Sequence, residues 1–203
     1  MKTNELFFER PDSLQASRPP ERRGLARDEV RLLVSSSAGH KHAQFKELAD
    51  YLEPNDLLVV NRSATLAASL PAVGALGSFI INVSTNYGGG LWLVEPRHSS
   101  SQPGPLPLEA GETVAVGGHA ARLVAQHPEL PRLWFLQASE KLCELMTKVG
   151  SPIRYGYVNE PYPLDAYQTI FGKIPGSAEM PSAGRPFTRR VLESLQDLSL
   201  IHI

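Results

Sequence analysis

The sequence predicts an α/β domain that is interrupted by an inserted small β-barrel domain. Two apolar, strand-like runs at residues 30 to 34 and 57 to 60 are separated by apolar residues that recur at helical spacing. From about Gly74 to residue 136 the pattern changes to short strand-like runs separated by Gly, Pro and Ser. A strand, helix, strand unit is typical of an α/β sheet, and even, short strands are typical of a small barrel or sandwich.

The first part of the α/β domain is predicted at residues 1 to 72. Residues 1 to 26 are polar and rich in Pro and Arg, and their lack of periodicity predicts an arm or a wrapped loop. The strand at residues 30 to 34 is followed by a helix at residues 45 to 52. Residues 57 to 60 are all apolar, so we expect a buried strand in a sheet that is covered on both faces.

The inserted domain is predicted at residues 73 to 155, and the α/β domain continues over residues 156 to 203. The strand-like runs of the insert are residues 79 to 83, 91 to 94, 113 to 116, 121 to 125 and 133 to 136. Residues 140 to 149 predict a helix with Gly150 as its C-cap. Pro186 suits the first position of the last helix, because its missing N–H would be unpaired there.

The composition of the chain limits the cellular compartment and the binding partners that we expect for it. Its 203 residues carry 20 Lys plus Arg against 21 Asp plus Glu, so the whole-molecule field does not attract nucleic acid. A single cysteine, Cys143, permits no disulfide framework and suits a reducing compartment. The sequence contains no run of about 18 apolar residues and no start that is typical of a signal peptide. We therefore expect a cytoplasmic protein that has no contact with a membrane.

Any contact with RNA must be local, and two arginine clusters are the candidates. Both clusters contain Arg and no Lys, which suits bidentate contacts with phosphate. They consist of Arg18, Arg22, Arg23, Arg27 and Arg31 near the start and of Arg185, Arg189 and Arg190 near the end. A solvated surface with a few ion pairs is the alternative interpretation of each cluster.

The segment Ser182-Ala183-Gly184-Arg185 precedes the last predicted helix and is a candidate ligand loop. Small residues let backbone N–H groups approach an anion at a helix start, and Arg185 adds positive charge there. An ordinary connection between two elements is the alternative. His40 and His42 lack the further ligands that would complete a metal site, so we expect no metal.

Three sequence blocks that occur in order carry a family resemblance. They are R-D at 27 and 28 with R-L-L-V at 31 to 34, then Y-L-E-P-N-D-L-L-V-V-N at 51 to 61, then Y-Q-T-I-F at 167 to 171 with P-G at 175 and P-S-A-G-R-P-F-T at 181 to 188. Together they resemble the S-adenosylmethionine:tRNA ribosyltransferase-isomerase (QueA) family of queuosine biosynthesis. The remaining residues, 73 to 155, are similar only in their short-stranded texture.

The resemblance implies a β-barrel inserted in a larger α/β domain, and it implies an unusual transfer. The ribosyl part of S-adenosylmethionine moves to 7-aminomethyl-7-deazaguanine in tRNA and is isomerised to epoxyqueuosine, with release of adenine and methionine. No metal is implied, because the sulfonium acidifies the ribose 5′ carbon for removal of a proton by a base. The implied substrate-binding site comprises Asn61, Tyr167, Gln168, Thr169, Ser182, Ala183, Gly184, Arg185 and Thr188. The implied contacts with tRNA are Arg22, Arg23, Arg27, Arg31, Arg189 and Arg190.

Two departures from the family pattern leave the catalytic residues unassigned. After Asn61 the family reads D-T-R-V-x-P-A-R-L, whereas residues 62 to 70 here lack both arginines. The family's Leu-His pair is replaced by Arg185-Pro186, and proline can neither donate a hydrogen bond nor shuttle a proton. The family's carboxy-terminal part also has no match in these residues, so we expect no turnover by the chain alone. A non-catalytic paralogue that binds RNA or a nucleotide, or an enzyme with a changed substrate, are the alternatives.

Overall fold

A computed structural model describes residues 7 to 139, 141 to 196, 198, 201 and 202. The architecture is an α/β part that is interrupted by a closed six-stranded barrel, as the sequence predicts. The polar segment at the start contains 3₁₀ turns at Asp12–Leu14, Pro20–Arg23 and Arg27–Glu29.

The α/β part opens with a hairpin and a helix. Strand β1 (Arg31–Ser36) pairs antiparallel with β2 (Gly39–Gln44), and a 3₁₀ helix at Phe45–Tyr51 follows. The side chain of Glu47 closes the first turn of that helix, because it accepts a 2.6 Å hydrogen bond from the backbone N–H of Gln44. Strand β2 is an addition to the sequence prediction, since its residues 39 to 44 carry no period-2 alternation of apolar side chains.

Among the described residues, residues 57 to 60 do not belong to a sheet with two covered faces, and the prediction of a buried strand there is wrong. Only Leu57–Leu58 forms a strand, β3, which pairs parallel with β12 (Ile201–His202). The side chains of Leu57 and Val59 are 59% and 77% exposed. Within the described residues β3 has one neighbouring strand, and a strand is buried on both faces only where helices cover its sheet. A second parallel pair joins β4 (Ser63–Thr65) to β11 (Ile174–Ser177).

The barrel is antiparallel throughout, and its strands follow the order β10, β7, β6, β5, β8, β9. The strands are β5 (Ser69–Gly74), β6 (Gly77–Gly88), β7 (Leu91–Arg97), β8 (Thr113–Val116), β9 (His119–Gln126) and β10 (Trp134–Gln137). All five predicted runs of the insert lie within these strands, apart from Leu133 at the edge of β10. Strand β5 starts before residue 73, so the proposed domain ranges 1 to 72, 73 to 155 and 156 to 203 remain a prediction.

The barrel closes because alternate side chains of its short strands point inward and its turns accept a left-handed backbone. Leu70, Ile81 and Leu123 are completely buried in its core. Gly117 and Gly118 connect β8 to β9 with φ values of 55° and 83°, which a two-residue hairpin turn of type I′ requires. Helix α1 (Leu142–Val149) covers the barrel with buried Leu142, Leu145 and Met146, and Gly150 is its C-cap as predicted.

A second, smaller core surrounds the last helix, α2 (Arg189–Gln196). Val191 and Leu195 are completely buried there, and the ring of Phe187 lies edge-to-face against Phe45 and Phe171 at 4.9 and 5.0 Å. Residues before the barrel thus pack against residues after it. The expectation that Pro186 is the first residue of the helix is wrong. The chain makes a separate 3₁₀ turn at Ser182–Gly184, and α2 begins only at Arg189.

Across the residues that the structure describes, no helix combines the length and the apolar character needed to cross a membrane.

Candidate functional site

The side chain of Gln168 connects the 3₁₀ turn Leu164–Tyr167 to strand β4 through two hydrogen bonds. Its side-chain oxygen accepts a 2.9 Å hydrogen bond from the N–H of Thr65, and its side-chain nitrogen donates a 2.8 Å bond to the carbonyl of Thr65. The hydroxyl of Thr65 donates in turn to the carbonyl of Tyr167 at 3.0 Å. The amide of Gln168 therefore pairs with the strand as another strand's backbone would, and this pairing uses the polar atoms that the family resemblance assigns to a ligand.

Arg27 and Arg185 both converge on the carboxylate of Glu21. Arg27 donates to Glu21 at 2.7 Å and to the carbonyl of Gln168 at 2.7 Å. Arg185 donates to both oxygens of Glu21, at 3.2 and 3.1 Å, and to the carbonyl of Ala166 at 2.9 Å. Burial alone would raise the pKa of Glu21, but hydrogen bonds from its own backbone, Arg27 and Arg185 lower it below its ordinary value. In this arrangement the two guanidinium groups hold the Pro20–Arg23 turn against the 164 to 168 segment.

Asp28 holds the start of α2 in the same way. Its carboxylate, in a residue that is 1% exposed, accepts a 2.6 Å hydrogen bond from the hydroxyl of Thr188 and bonds of 3.1 and 2.6 Å from Arg190. The hydroxyl of Thr188 also accepts a 3.4 Å bond from the N–H of Val191 in the first turn of the helix. Burial would raise the pKa of Asp28, yet the bonds from Arg190 and Thr188 lower it below its ordinary value. Thr188 and Arg190 therefore serve the fold here.

A cleft of about 500 Å³ lies between β3 and the 3₁₀ turn Ser182–Gly184, and we call it the Asn61 cleft. It is lined by Leu58, Val59, Val60, Asn61, Phe171, Met180, Pro181, Ser182, Ala183, Gly184 and Phe187. The side chain of Asn61 accepts a 2.7 Å hydrogen bond from the N–H of Ser63, which fixes the chain as it leaves the cleft. Four of the predicted substrate-binding residues, Asn61 and 182 to 184, thus line one cleft.

A second cavity of about 260 Å³ adjoins the first, and we call it the tyrosine pocket. It is lined by Tyr155, Tyr157, Tyr162 and Tyr167, by the arm residues 16 to 20, and by Val158, Ala166, Met180, Ser182 and Arg185. The rings of Tyr155 and Tyr157 are parallel, with an interplanar angle of 2° and centroids 5.5 Å apart. The hydroxyl of Tyr155 donates to Glu179 at 2.8 Å, and burial together with this carboxylate raises its pKa to about 12. The hydroxyl therefore stays protonated at neutral pH.

The tyrosine pocket continues into a depression of about 280 Å³, which we call the arginine depression. The two share Pro19, Tyr162, Ala166 and Arg185, and the depression adds Glu21, Arg22, Arg27, Pro163 and Asp165. Arg22 is exposed, and it takes part in no salt bridge among the described residues. Arg23, Arg31 and Arg189 are also exposed but line none of these three cavities.

The predicted site residues differ in which cavity they line. Tyr167 and Arg185 line the tyrosine pocket, and Ser182 borders both cavities. Thr169 is buried beside Gly184, and its hydroxyl has no hydrogen-bond partner among the described residues. Sequence reasoning missed Tyr155, Tyr157 and Tyr162, although four tyrosines between residues 155 and 167 were a visible signal. In the described part of the chain, no three His, Cys, Asp or Glu residues are grouped to hold a metal ion.

These features define an α/β protein with an inserted barrel, in which two cavities of about 500 and 260 Å³ meet at one turn. The chain belongs to the family described as queuosine biosynthesis protein, whose profile matches residues 3–201. It is 33% identical over 201 residues to the S-adenosylmethionine:tRNA ribosyltransferase-isomerase of Rubrobacter xylanophilus and 30% identical over 202 residues to that of Thermotoga petrophila. In both cases the match covers 97% of this chain and 56% of the relative.

A solved structure gives a weaker match. It is the crystal structure of S-adenosylmethionine tRNA ribosyltransferase from Thermotoga maritima, with 22% identity, a TM-score of 0.34, and coverage of 97% of this chain and 55% of that one. The chain therefore spans a little more than half the length of the relatives that it matches.

Proposed function

We propose that the chain takes part in tRNA modification as a portion of an S-adenosylmethionine:tRNA ribosyltransferase-isomerase. In that reaction the ribosyl group of S-adenosylmethionine moves to a 7-aminomethyl-7-deazaguanine of tRNA, which becomes epoxyqueuosine. The observation that carries the proposal is that the Asn61 cleft and the tyrosine pocket share Met180 and Ser182. A group transfer needs two ligands held with their reacting atoms close together, and two adjoining cavities meet that need.

The Asn61 cleft suits the donor. Its volume of about 500 Å³ lies within the roughly 300 to 1,000 Å³ of small-molecule sites. Its walls are mainly apolar, with Asn61 and the Ser182–Gly184 turn as polar groups that can orient a nucleoside. A Cβ at Gly184 would lie 3.4 Å from Thr169 and 3.5 Å from Phe171, so this turn lies within van der Waals range of both residues beside the cleft. The donor itself supplies the activation, because its sulfonium acidifies the adjacent ribose carbon.

A second candidate function is a non-catalytic module that binds RNA or a nucleotide. It is favoured by Arg185, which stands at a family motif position and is held by Glu21 and the carbonyl of Ala166. Pro186, next to it, offers no hydrogen-bond donor. Such a module would keep both cavities and would lack turnover.

The proposal is tested with a chimera. In this chimera the present chain replaces the matched portion of the Rubrobacter xylanophilus relative. We expect the chimera to release adenine from S-adenosylmethionine when precursor tRNA is present, and we expect the 203 residues alone to release none above background. Ala183→Trp in the chimera should lower the rate at least about ten-fold, because an indole would fill the Asn61 cleft. Ala38→Trp, in the exposed turn between β1 and β2, is the matched control.

The outcomes separate the two candidate functions. A folded chimera that binds S-adenosylmethionine and RNA but releases no adenine would support the non-catalytic module. A chimera in which Ala183→Trp and Ala38→Trp behave alike would remove the Asn61 cleft from the reaction.

A further inference from the structure

We propose that the tyrosine pocket and the arginine depression together form a binding site for one unpaired nucleotide of RNA, with its base in the pocket and its phosphate at Arg22. This site is separate from the Asn61 cleft assigned to the donor. The inference rests on the proposed function only for the choice of RNA as the source of the nucleotide.

The pocket has the chemistry of a base-stacking site. Tyr155 and Tyr157 present two parallel rings to the cavity, and each keeps more than a third of its surface exposed, at 38% and 44%. A planar base can extend such a stack, because every base has a π-face that packs on an aromatic ring. The volume of about 260 Å³ is below the usual range for whole small-molecule ligands and suits a single ring system.

Carboxylates hold the hydroxyl groups of two of the four tyrosines. The hydroxyl of Tyr155 is bound to Glu179, and the hydroxyl of Tyr162 donates to Glu160 at 3.4 Å. Glu160 in turn accepts a 2.9 Å bond from Arg18, an arm residue that also lines the pocket. A pocket whose rings are already oriented loses little entropy when a base enters, and this favours binding.

The depression supplies a site for phosphate beside the stacked rings. It continues from the pocket through Tyr162 and Arg185. Arg27 and Arg185 line it but are engaged by Glu21, so their charge is partly neutralised. Arg22 lines the same depression, is exposed, and forms no salt bridge with the described carboxylates. Its guanidinium can therefore donate hydrogen bonds to a phosphate without first breaking one of the described ion pairs.

The site is tested with the 203-residue chain and a fluorescently labelled single-stranded RNA pentamer, whose dissociation constant is measured by anisotropy. Tyr157→Ala should weaken binding about ten-fold or more, because base stacking on the ring is lost. Tyr157→Phe should bind within about two-fold of the parent, because the ring remains. Tyr87→Ala removes an exposed tyrosine of the barrel and serves as the control. Unfolding midpoints of all variants show whether the fold is kept.

Arg22→Ala should weaken binding. It should also make the slope of log affinity against log salt less negative by about 0.7, which is the contribution of one phosphate contact with a single strand. Arg23→Ala, at an exposed neighbour that lines neither cavity, should change neither. Equal losses in Tyr157→Ala and Tyr87→Ala, or in Arg22→Ala and Arg23→Ala, would overturn the site. Adenosine monophosphate carries the base and the phosphate that the site takes, so it should displace the pentamer. Failure to displace it would overturn the single-nucleotide site, and binding tighter than that of the pentamer would overturn the assignment to RNA. The affinity for the RNA pentamer measures binding at this site, whereas adenine release by the chimera measures the proposed reaction. Failure of the nucleotide site and failure of the proposed function therefore give different results.

Discussion

Several charged residues beside the cavities stabilise the fold, although their sequence positions suggest ligand binding. Arg185 illustrates this best, since its guanidinium bonds both oxygens of Glu21 and the carbonyl of Ala166. From the sequence alone an arginine beside small residues predicts a ligand loop equally well. The difference depends on Glu21, which is distant in the chain and becomes a neighbour only through folding. Gln168 is a similar case, because its partner Thr65 belongs to a strand that the sequence pattern does not mark.

Asp28 gives a pH-dependent prediction at the scale of single residues. Despite burial, its pKa is lowered in the folded protein by hydrogen bonds from Arg190 and Thr188, whereas in the unfolded chain it returns to its ordinary value. The charged form is therefore favoured by folding, so its stabilising contribution is complete above the unfolded pKa and is lost as the pH falls through the folded pKa. Asp28→Asn should lower the free energy of unfolding by about 1 to 3 kcal/mol at pH 7, because charged hydrogen bonds from Arg190 and Thr188 are weakened.

The measurement is urea unfolding of both proteins between about pH 7 and pH 2. The difference between parent and Asp28→Asn should be constant at neutral pH and shrink towards zero at the acidic end. A difference that persists unchanged at the lowest pH would mean that the carboxylate's charge is unimportant. Glu53→Gln, at an exposed position for which no salt bridge is described, is the control and should leave the unfolding free energy within about 0.5 kcal/mol.

Among the secondary-structure elements, the barrel is well predicted by the sequence and the open part of the α/β region is not. The barrel strands alternate buried and exposed side chains and are separated by glycine turns, and both signals are local. Strand β3 has an apolar run typical of a buried strand, yet Leu57 and Val59 are exposed. Burial of a parallel strand depends on partners from elsewhere in the chain, which a local pattern does not encode. The hairpin strand β2 was missed for the related reason that its residues are mostly polar.

Gly150 gives a prediction at the scale of one element, the end of α1. A Cβ at this position would collide with the carbonyl oxygens of Ala67 and Met146, which are backbone atoms and cannot swing aside. Gly150→Ala should therefore lower the free energy of unfolding by about 1 to 3 kcal/mol, as overpacking does. Its φ of −75° means that the cause is crowding and that the backbone conformation itself is unstrained.

Gly176→Ala is the matched control, because the nearest atom to its added Cβ is 4.0 Å away. Thermal or urea unfolding of the two variants compares them directly. If both variants unfold at the same denaturant concentration, the close packing of the α1 end against residue 67 does not contribute to stability.

At the scale of the whole molecule, two cores are held together by contacts between distant parts of the chain. The barrel and α1 form one core, and α2 forms the other with the 3₁₀ helix Phe45–Tyr51. The cavities lie against the second core and the arm, among segments joined by Arg27, Glu21 and Gln168. The family blocks lie mainly in these joining segments. This explains why the resemblance points to residues that border the cavities but does not distinguish residues that could bind a ligand from residues that bind each other.

The charge distribution of the whole molecule predicts a shallow salt dependence for RNA binding. The net charge is −1, so attraction comes only from local arginines. Of those assigned to RNA from the sequence, Arg27 and Arg190 are paired with carboxylates, whereas Arg22, Arg23, Arg31 and Arg189 are exposed and form none of the described salt bridges. Each phosphate contact with single-stranded RNA contributes a slope of about −0.7 in log affinity against log salt.

The single contact assigned to Arg22 predicts a slope of about −0.7, and even phosphate contacts by all four arginines would limit it to roughly −3. Anisotropy titrations of a single-stranded RNA between about 50 and 200 mM salt measure it directly. Arg27→Ala and Arg190→Ala should leave the slope unchanged once their effect on folding is accounted for, because each guanidinium is held by a carboxylate in the described structure. A slope much steeper than this limit would mean that Arg27, Arg185 or Arg190 exchanges its carboxylate for phosphate, and that Glu21 and Asp28 hold these arginines only until RNA binds.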